Sequence, residues 1–79
     1  MSASYWVLIS DELMAAGVTW PDGMRVTGPG YPGGPRDRGA MWYRMEDDGA
    51  PPGLDGRRVE LTFRMEGDVP VVASREALS

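Results

Sequence analysis

Residues 59–65, VELTFRM, alternate strictly between apolar and polar side chains. A period of two is typical of a β-strand with one face on a core and the other in water. Gly67 and Asp68 follow, and they predict a tight hairpin turn into a second strand at residues 69–73. Because Pro70 cannot donate a ladder hydrogen bond, we expect this second strand at a sheet edge or with that position facing outward.

The segment YWVLI at residues 5–9 is apolar on both faces, which predicts a central strand or one with a face against a partner. Ser10 then has the features of a helix N-cap, with Asp11 and Glu12 favourable in the first turn. Gly17 is a natural stop, so the sequence predicts a helix of barely two turns.

Three further segments complete the predicted elements. MWYRM at residues 41–45 predicts a strand with Trp42 and Arg44 on one face. Residues 18–20 and 24–26 flank Pro-Asp-Gly, a combination that predicts a β-hairpin. The tail at residues 74–79 is expected to form a helical turn.

These elements predict a mainly β fold of the β-rich α+β type. We expect a small antiparallel sheet or an SH3-like barrel, with five or six short strands and one short helix. We expect residues 1–79 to form a single small domain with a Gly/Pro-rich loop at 27–40. Tyr31 lies in the middle of this loop, either as a recognition residue or folded back onto the core.

The composition argues against catalysis. The chain contains no His, Cys or Lys, so it lacks the usual base near pH 7, the thiolate and the Schiff-base amine. Seventy-nine residues also struggle to enclose a pocket for a small-molecule substrate. We therefore expect no enzyme activity, no cofactor and no metal.

Two motifs resemble ligand-binding sites, but the residues in and around them do not support that function. Gly28, Gly30 and Gly33 spell G-x-G-x-x-G, but prolines interrupt the motif and no helical pattern follows it. The acidic residues at 46–48 and Asp55 do not have the ligand spacing of a calcium loop. We expect a Gly/Pro loop and a solvated acidic connection.

The net charge is −4, which does not favour broad binding to nucleic acid or to a membrane. No segment approaches the length of a membrane span, and the apolar start lacks the basic region of a signal peptide. We expect a cytoplasmic protein, located in the host cytoplasm or the virion if a phage encodes it.

Three Trp, three Tyr and eight Arg supply the residue types that dominate protein interfaces. Trp6 and Trp42 each fall on the second face of an apolar strand, so at least one should be partly exposed or lie in an interface with another copy or a partner. The candidate partner-binding residues are Trp6, Tyr31, Arg36, Arg38, Trp42 and Tyr43.

The chain also lacks Asn and Gln, and all its basic residues are Arg. In this composition and in its size it resembles accessory proteins of phages that infect GC-rich bacteria. The resemblance implies a module that binds and modulates a host protein. A self-assembling virion component, such as a capsid decoration subunit, is the alternative, and a nucleic-acid-binding small β-barrel is a third hypothesis.

Overall fold

The computed structural model describes residues 2–78. In chain order, this part contains five strands and a single helix: β1 (Ala3–Ser10), α1 (Asp11–Ala16), β2 (Met24–Pro32), β3 (Ala40–Asp47), β4 (Arg58–Glu66) and β5 (Val69–Ala77). The mainly β class with one short helix is therefore confirmed. Among residues 2–78, no helix has the length and apolar character needed to cross a membrane.

The strands form one sheet in the order β2-β3-β1-β4-β5. All neighbours are antiparallel except β1 and β4, which run parallel, so the sheet is mixed and does not close into a barrel. The parallel pair arises because the connection at residues 48–57 passes the start of β1 and leads into β4 on the other side of β1 from β3. Gly56 donates to the carbonyl of Ser4, and Trp6 donates to the carbonyl of Arg57.

The core lies on one side of the sheet. Along β1 the odd-numbered residues are buried and the even-numbered ones are only half-buried. The buried apolar side chains are Ala3, Tyr5, Val7, Ile9, Met24, Met45, Ala50, Leu54, Val59 and Leu61. Leu13 and Met14 of α1, together with Trp20, pack against this cluster from the same side. The opposite side of the sheet is left without a second layer in the described part of the chain.

Helix α1 forms where its capping residues predict it. The Ser10 hydroxyl accepts a hydrogen bond from the Leu13 amide at 3.2 Å, which satisfies one of the free amides of the first turn. The helix ends before Gly17, whose amide donates to the Met14 carbonyl at 3.2 Å. These two caps hold six residues in helical geometry against the core.

The hairpin of β4 and β5 is confirmed, with Glu66 paired to Val69 around the predicted turn. Gly67 has φ 64°, as the first central residue of a tight hairpin turn requires. Pro70 lies on the edge strand, as predicted. The tail differs from the prediction, because residues 74–77 continue β5 instead of forming a helical turn. The ladder between β4 and β5 stays paired as far as Ala77, with a register shift between Thr62 and Phe63.

The predicted hairpin at residues 18–26 is wrong. The turn itself exists, since the Met24 amide donates to the Pro21 carbonyl at 3.0 Å. However, Thr19 forms a single parallel bridge to Val71 on β5, and Trp20 packs on the core. This segment is too short for a ladder, and Pro21 has no amide hydrogen to extend one.

The loop predicted at residues 27–40 is shorter in the structure. Strand β2 continues to Pro32, and residues 33–39 alone connect it to β3. Between Thr27 and Tyr31 the register shifts, with Gly28 at φ 74°. The glycines and prolines thus bulge the strand without ending it, because a bulge absorbs residues that cannot join the ladder.

One carboxylate lies within the core. Asp47 at the end of β3 is fully buried, and its Oδ2 accepts a hydrogen bond from the Tyr5 hydroxyl at 2.6 Å. Arg75 Nη1 lies 2.9 Å from the same oxygen, and the Gly49 amide donates to Oδ1 at 3.2 Å. Burial, and then the hydrogen bond to Asp47, raises the pKa of the Tyr5 hydroxyl far above its usual value. These partners satisfy a charge that would otherwise be costly to bury.

Candidate functional site

The candidate site is the side of the sheet opposite the core, which we call the open face. It is defined by Trp6, Leu8, Tyr31, Trp42, Arg44 and Arg58. The pairing register brings them together from four neighbouring strands. Trp6 is opposite Arg44 on β3 and Arg58 on β4, while Leu8 is opposite Trp42 and Trp42 is opposite Tyr31.

Three aromatic rings form the centre of the open face. Trp6 and Trp42 are half-buried, and Tyr31 is 53% exposed. Trp6 and Tyr31 meet edge to face, with ring centroids 5.8 Å apart and planes inclined by 66°. The bulge in β2 produces this contact, because it shifts the register by two residues and places Tyr31 opposite Trp42 instead of Ala40.

Two arginines lie over the tryptophans. The guanidinium carbon of Arg44 is 5.8 Å from the ring centroid of Trp6, and that of Arg58 is 5.2 Å from the centroid of Trp42. Both distances allow a cation–π interaction. Arg44 Nε also donates to the Ser4 hydroxyl at 2.8 Å, which fixes the side chain across the strands.

The open face carries three shallow hollows. A central one of about 160 Å³ is lined by Trp6, Trp42 and Arg58. On one side lies a hollow of about 310 Å³ lined by Trp6, Thr27, Gly28, Pro29, Tyr31 and Arg44. On the other side, Leu8, Asp37, Trp42, Arg57, Arg58 and Leu78 line one of about 560 Å³. Together they make an aromatic surface with guanidinium groups along it.

Three of the six predicted site residues meet on this surface, namely Trp6, Tyr31 and Trp42. Tyr43 lies on the other side of β3, where it packs against the core and its hydroxyl is 3.8 Å from the sulfur of Met41. Arg36 and Arg38 are exposed in the 33–39 connection and do not line the hollows of the open face described above. Arg38 instead lines a separate shallow hollow with Asp11.

Sequence analysis did not select Leu8, Arg44 and Arg58. Arg44 had a usable signal, since it shares a strand face with Trp42 two residues away. Leu8 shares a face of β1 with Trp6 in the same way. The position of Arg58 beside Trp6 could not be predicted from neighbouring residues, because it depends on the parallel pairing of β1 with β4.

This arrangement suits noncovalent recognition. Aromatic faces stack on apolar or planar groups, and guanidinium groups donate paired hydrogen bonds to carboxylates or phosphates. Within residues 2–78, no three Asp or Glu side chains converge in a group that could hold a metal ion. Glu46, Glu60 and Asp37 lie at the margins of the open face.

No protein-family model, no curated protein and no solved structure was found to match this chain.

Proposed function

We propose that this chain is a non-enzymatic module that binds another protein through the open face. The observation that carries the proposal is the pair of half-buried tryptophans on adjacent central strands, each with an arginine over its ring. Trp, Tyr and Arg are the residues that contribute most to binding at protein interfaces. Here all three types are concentrated on the side of the sheet without a second layer.

The stability of a small domain gives a second reason for a partner. A chain of this length buries only about 60% of the surface of its unfolded form. Because the large rings of Trp6 and Trp42 are only half-buried, part of their apolar surface does not contribute to the stability of the fold. Since a partner that covers Trp6 and Trp42 would bind only the folded chain, it would also stabilise it.

Two other functions compete for the same surface. Stacking rings with nearby arginines also occur on sheets that bind single-stranded nucleic acid. The net charge of −4 and the acidic margins of the open face weigh against that function. Assembly with further copies, as in a virion component, is the other alternative. An accessory protein of a phage or of a GC-rich bacterium would use the proposed interface to modulate a host protein.

Site-directed photo-crosslinking distinguishes these functions. The photoreactive amino acid p-benzoylphenylalanine replaces Leu8 on the open face, or Met65, which is 58% exposed, as a control. Irradiation takes place in the cells that produce the protein. We expect a discrete adduct with a second protein from position 8 and none from position 65. Trp42→Ala, added to the position-8 variant, should remove the adduct while the circular dichroism spectrum keeps its β-sheet form.

Each other outcome contradicts the proposal in its own way. Adducts at multiples of the chain's own mass would indicate self-assembly. Adducts that disappear on nuclease treatment would indicate a nucleic-acid-binding protein. An adduct pattern identical at positions 8 and 65 would show that the open face has no specific partner.

A further inference from the structure

The arginines of the open face lack carboxylate partners even though the chain is rich in acids. There are twelve acidic residues to eight arginines in the sequence. Among residues 2–78, ion pairs form at Arg25, Arg64 and Arg75. Arg44 and Arg58 form none there and lie over Trp6 and Trp42 instead. The positive charge at the centre of the open face is therefore not neutralised locally.

The two arginines bracket one tryptophan. Arg44 and Arg58 are the cross-strand neighbours of Trp6 on its two sides. With strands about 4.8 Å apart, the Cα atoms of the two arginines are separated by roughly 10 Å. Residues two apart in an extended segment share a face and span about 7 Å, and the long Arg and acidic side chains can bridge the difference. A segment with two carboxylates at that spacing could engage both guanidinium groups at once.

The space between the arginines is aromatic and polar. The central hollow of about 160 Å³ is lined by the two indole rings and Arg58, so it offers a ring surface for methylene groups and a guanidinium group for a carboxylate. The acidic margins, Glu46 on β3 and Glu60 on β4, would repel further carboxylates and so limit the length of an acidic occupant. Charge and shape thus describe a short segment that carries acidic residues on one face.

We infer that the segment bound by the open face is an extended protein strand with acidic residues at alternate positions. This inference rests on the proposed function and specifies its partner. The carboxylates of two alternate residues pair with Arg44 and Arg58, because charge-assisted hydrogen bonds are stronger than the cation–π contacts that hold the free guanidinium groups. The methylene groups of the same side chains pack against the indole rings.

Nuclear magnetic resonance titration with three matched peptides tests the inference. The peptides are acetylated and amidated GSELELEGSG, GSQLQLQGSG and GSKLKLKGSG, and a twelve-nucleotide oligothymidylate is the fourth probe. The indole N–H signals of Trp6 and Trp42 report on the open face. Trp20 packs on the core and provides an internal reference. We expect the glutamate peptide to move the first two signals and to leave the third in place.

Charge variants locate the carboxylate contacts. Arg44→Gln and Arg58→Gln should each weaken binding of the glutamate peptide about tenfold, the loss of one charge-assisted hydrogen-bonded contact. Arg64→Gln is the control, since it removes the same charge from a residue paired with Glu66 at the far end of β4. If an open-face variant fails to fold, the wild-type chain still gives a test. Raising the salt concentration should weaken the glutamate peptide and not the glutamine peptide.

The outcomes separate this inference from the proposed function. Equal binding of all three peptides at Trp6 and Trp42 would overturn the acidic partner and leave a protein-binding face. Binding of oligothymidylate at the same indoles, without the peptides, would overturn both. If millimolar glutamate peptide shifts neither the Trp6 nor the Trp42 signal, the inference of an acidic partner is overturned. The crosslink from position 8 tests the proposed protein-binding function independently.

Discussion

Arg75 Nη1 lies 2.9 Å from Asp47 Oδ2, although their strands, β5 and β3, are separated by β1 and β4 in the sheet. In a flat sheet, strands three positions apart would be about 14 Å from each other. The contact is possible because the sheet curls around the core and brings its edge strand over the end of β3. The Arg75 guanidinium also donates to the Gly49 carbonyl at 3.2 Å, so one side chain fastens two parts of the curled sheet.

The first prediction concerns this buried carboxylate. Asp47→Asn should lower the free energy of unfolding by about 2–4 kcal/mol, because it leaves the charge of Arg75 without a partner. The expected loss is smaller than for a fully buried ion pair, because Arg75 is partly exposed. Urea denaturation followed by circular dichroism measures the change. Asp48→Asn is the matched control, since its pair with Arg25 is exposed and should matter by less than about 1 kcal/mol. Equal stability of the two variants would contradict a structural role for Asp47.

The second prediction concerns alkaline pH and Tyr5. Its hydroxyl has a raised pKa in the folded chain, whereas in the unfolded chain it loses its proton near the usual value of about 10. Above pH 10 the unfolded state therefore binds fewer protons, and the free energy of unfolding falls by up to about 1.4 kcal/mol per pH unit from this group. Tyr5→Phe should show a shallower fall between pH 10 and 11 in the same urea experiment. Parallel pH profiles for the two proteins would show that Tyr5 does not contribute.

The third prediction compares two neighbours on β1. Ile9 is 1% exposed on the core side, while Leu8 is half-buried on the open face. Ile9→Ala should cost about 2–5 kcal/mol of stability, as large-to-small changes in a packed core do. Leu8→Ala should cost about 1 kcal/mol, because much less of its surface is removed from water. Comparable losses from both variants in thermal or urea unfolding would mean that both sides of the sheet are covered.

The fourth prediction tests the close contact between β2 and β3. A Cβ atom added at Gly30 would lie 2.8 Å from Cε1 of Tyr43, closer than carbon atoms approach. Gly30→Ala should therefore cost about 1–2 kcal/mol, since the Tyr43 ring must move. Gly49→Ala meets no atom within 4 Å and should leave stability unchanged or raise it slightly. If Gly30→Ala leaves the free energy of unfolding in urea unchanged, the Tyr43 ring can move aside without a cost in stability.

Local sequence patterns predicted the elements that have capping residues at their ends or a strict alternation of apolar and polar residues. The capping residues Ser10 and Gly17 defined α1, and alternation defined β4. The assignment of Trp42 and Arg44 to one strand face follows from a period of two and holds in the structure. These features depend on neighbouring residues alone, so a sequence contains enough information to find them.

Pairing between distant segments could not be predicted in the same way. The parallel register of Trp6 with Arg58 joins residues more than fifty positions apart, and no local signal marks it. Likewise, Thr19 was expected to pair within a hairpin and instead bridges to Val71. Trp6 and Trp42 were found because they lie on strands with clear patterns. The place of Arg58 depends on the order of strands in the sheet.

The central position of β1 has a consequence for synthesis of the chain. This strand leaves the ribosome before either neighbour, because β3 begins at Ala40 and β4 at Arg58. Until those segments emerge, a stretch that is apolar on both faces has no ladder partner. Such nascent strands are prone to aggregation. Translation speed and chaperone supply should therefore influence the yield of this protein more strongly than its small size suggests.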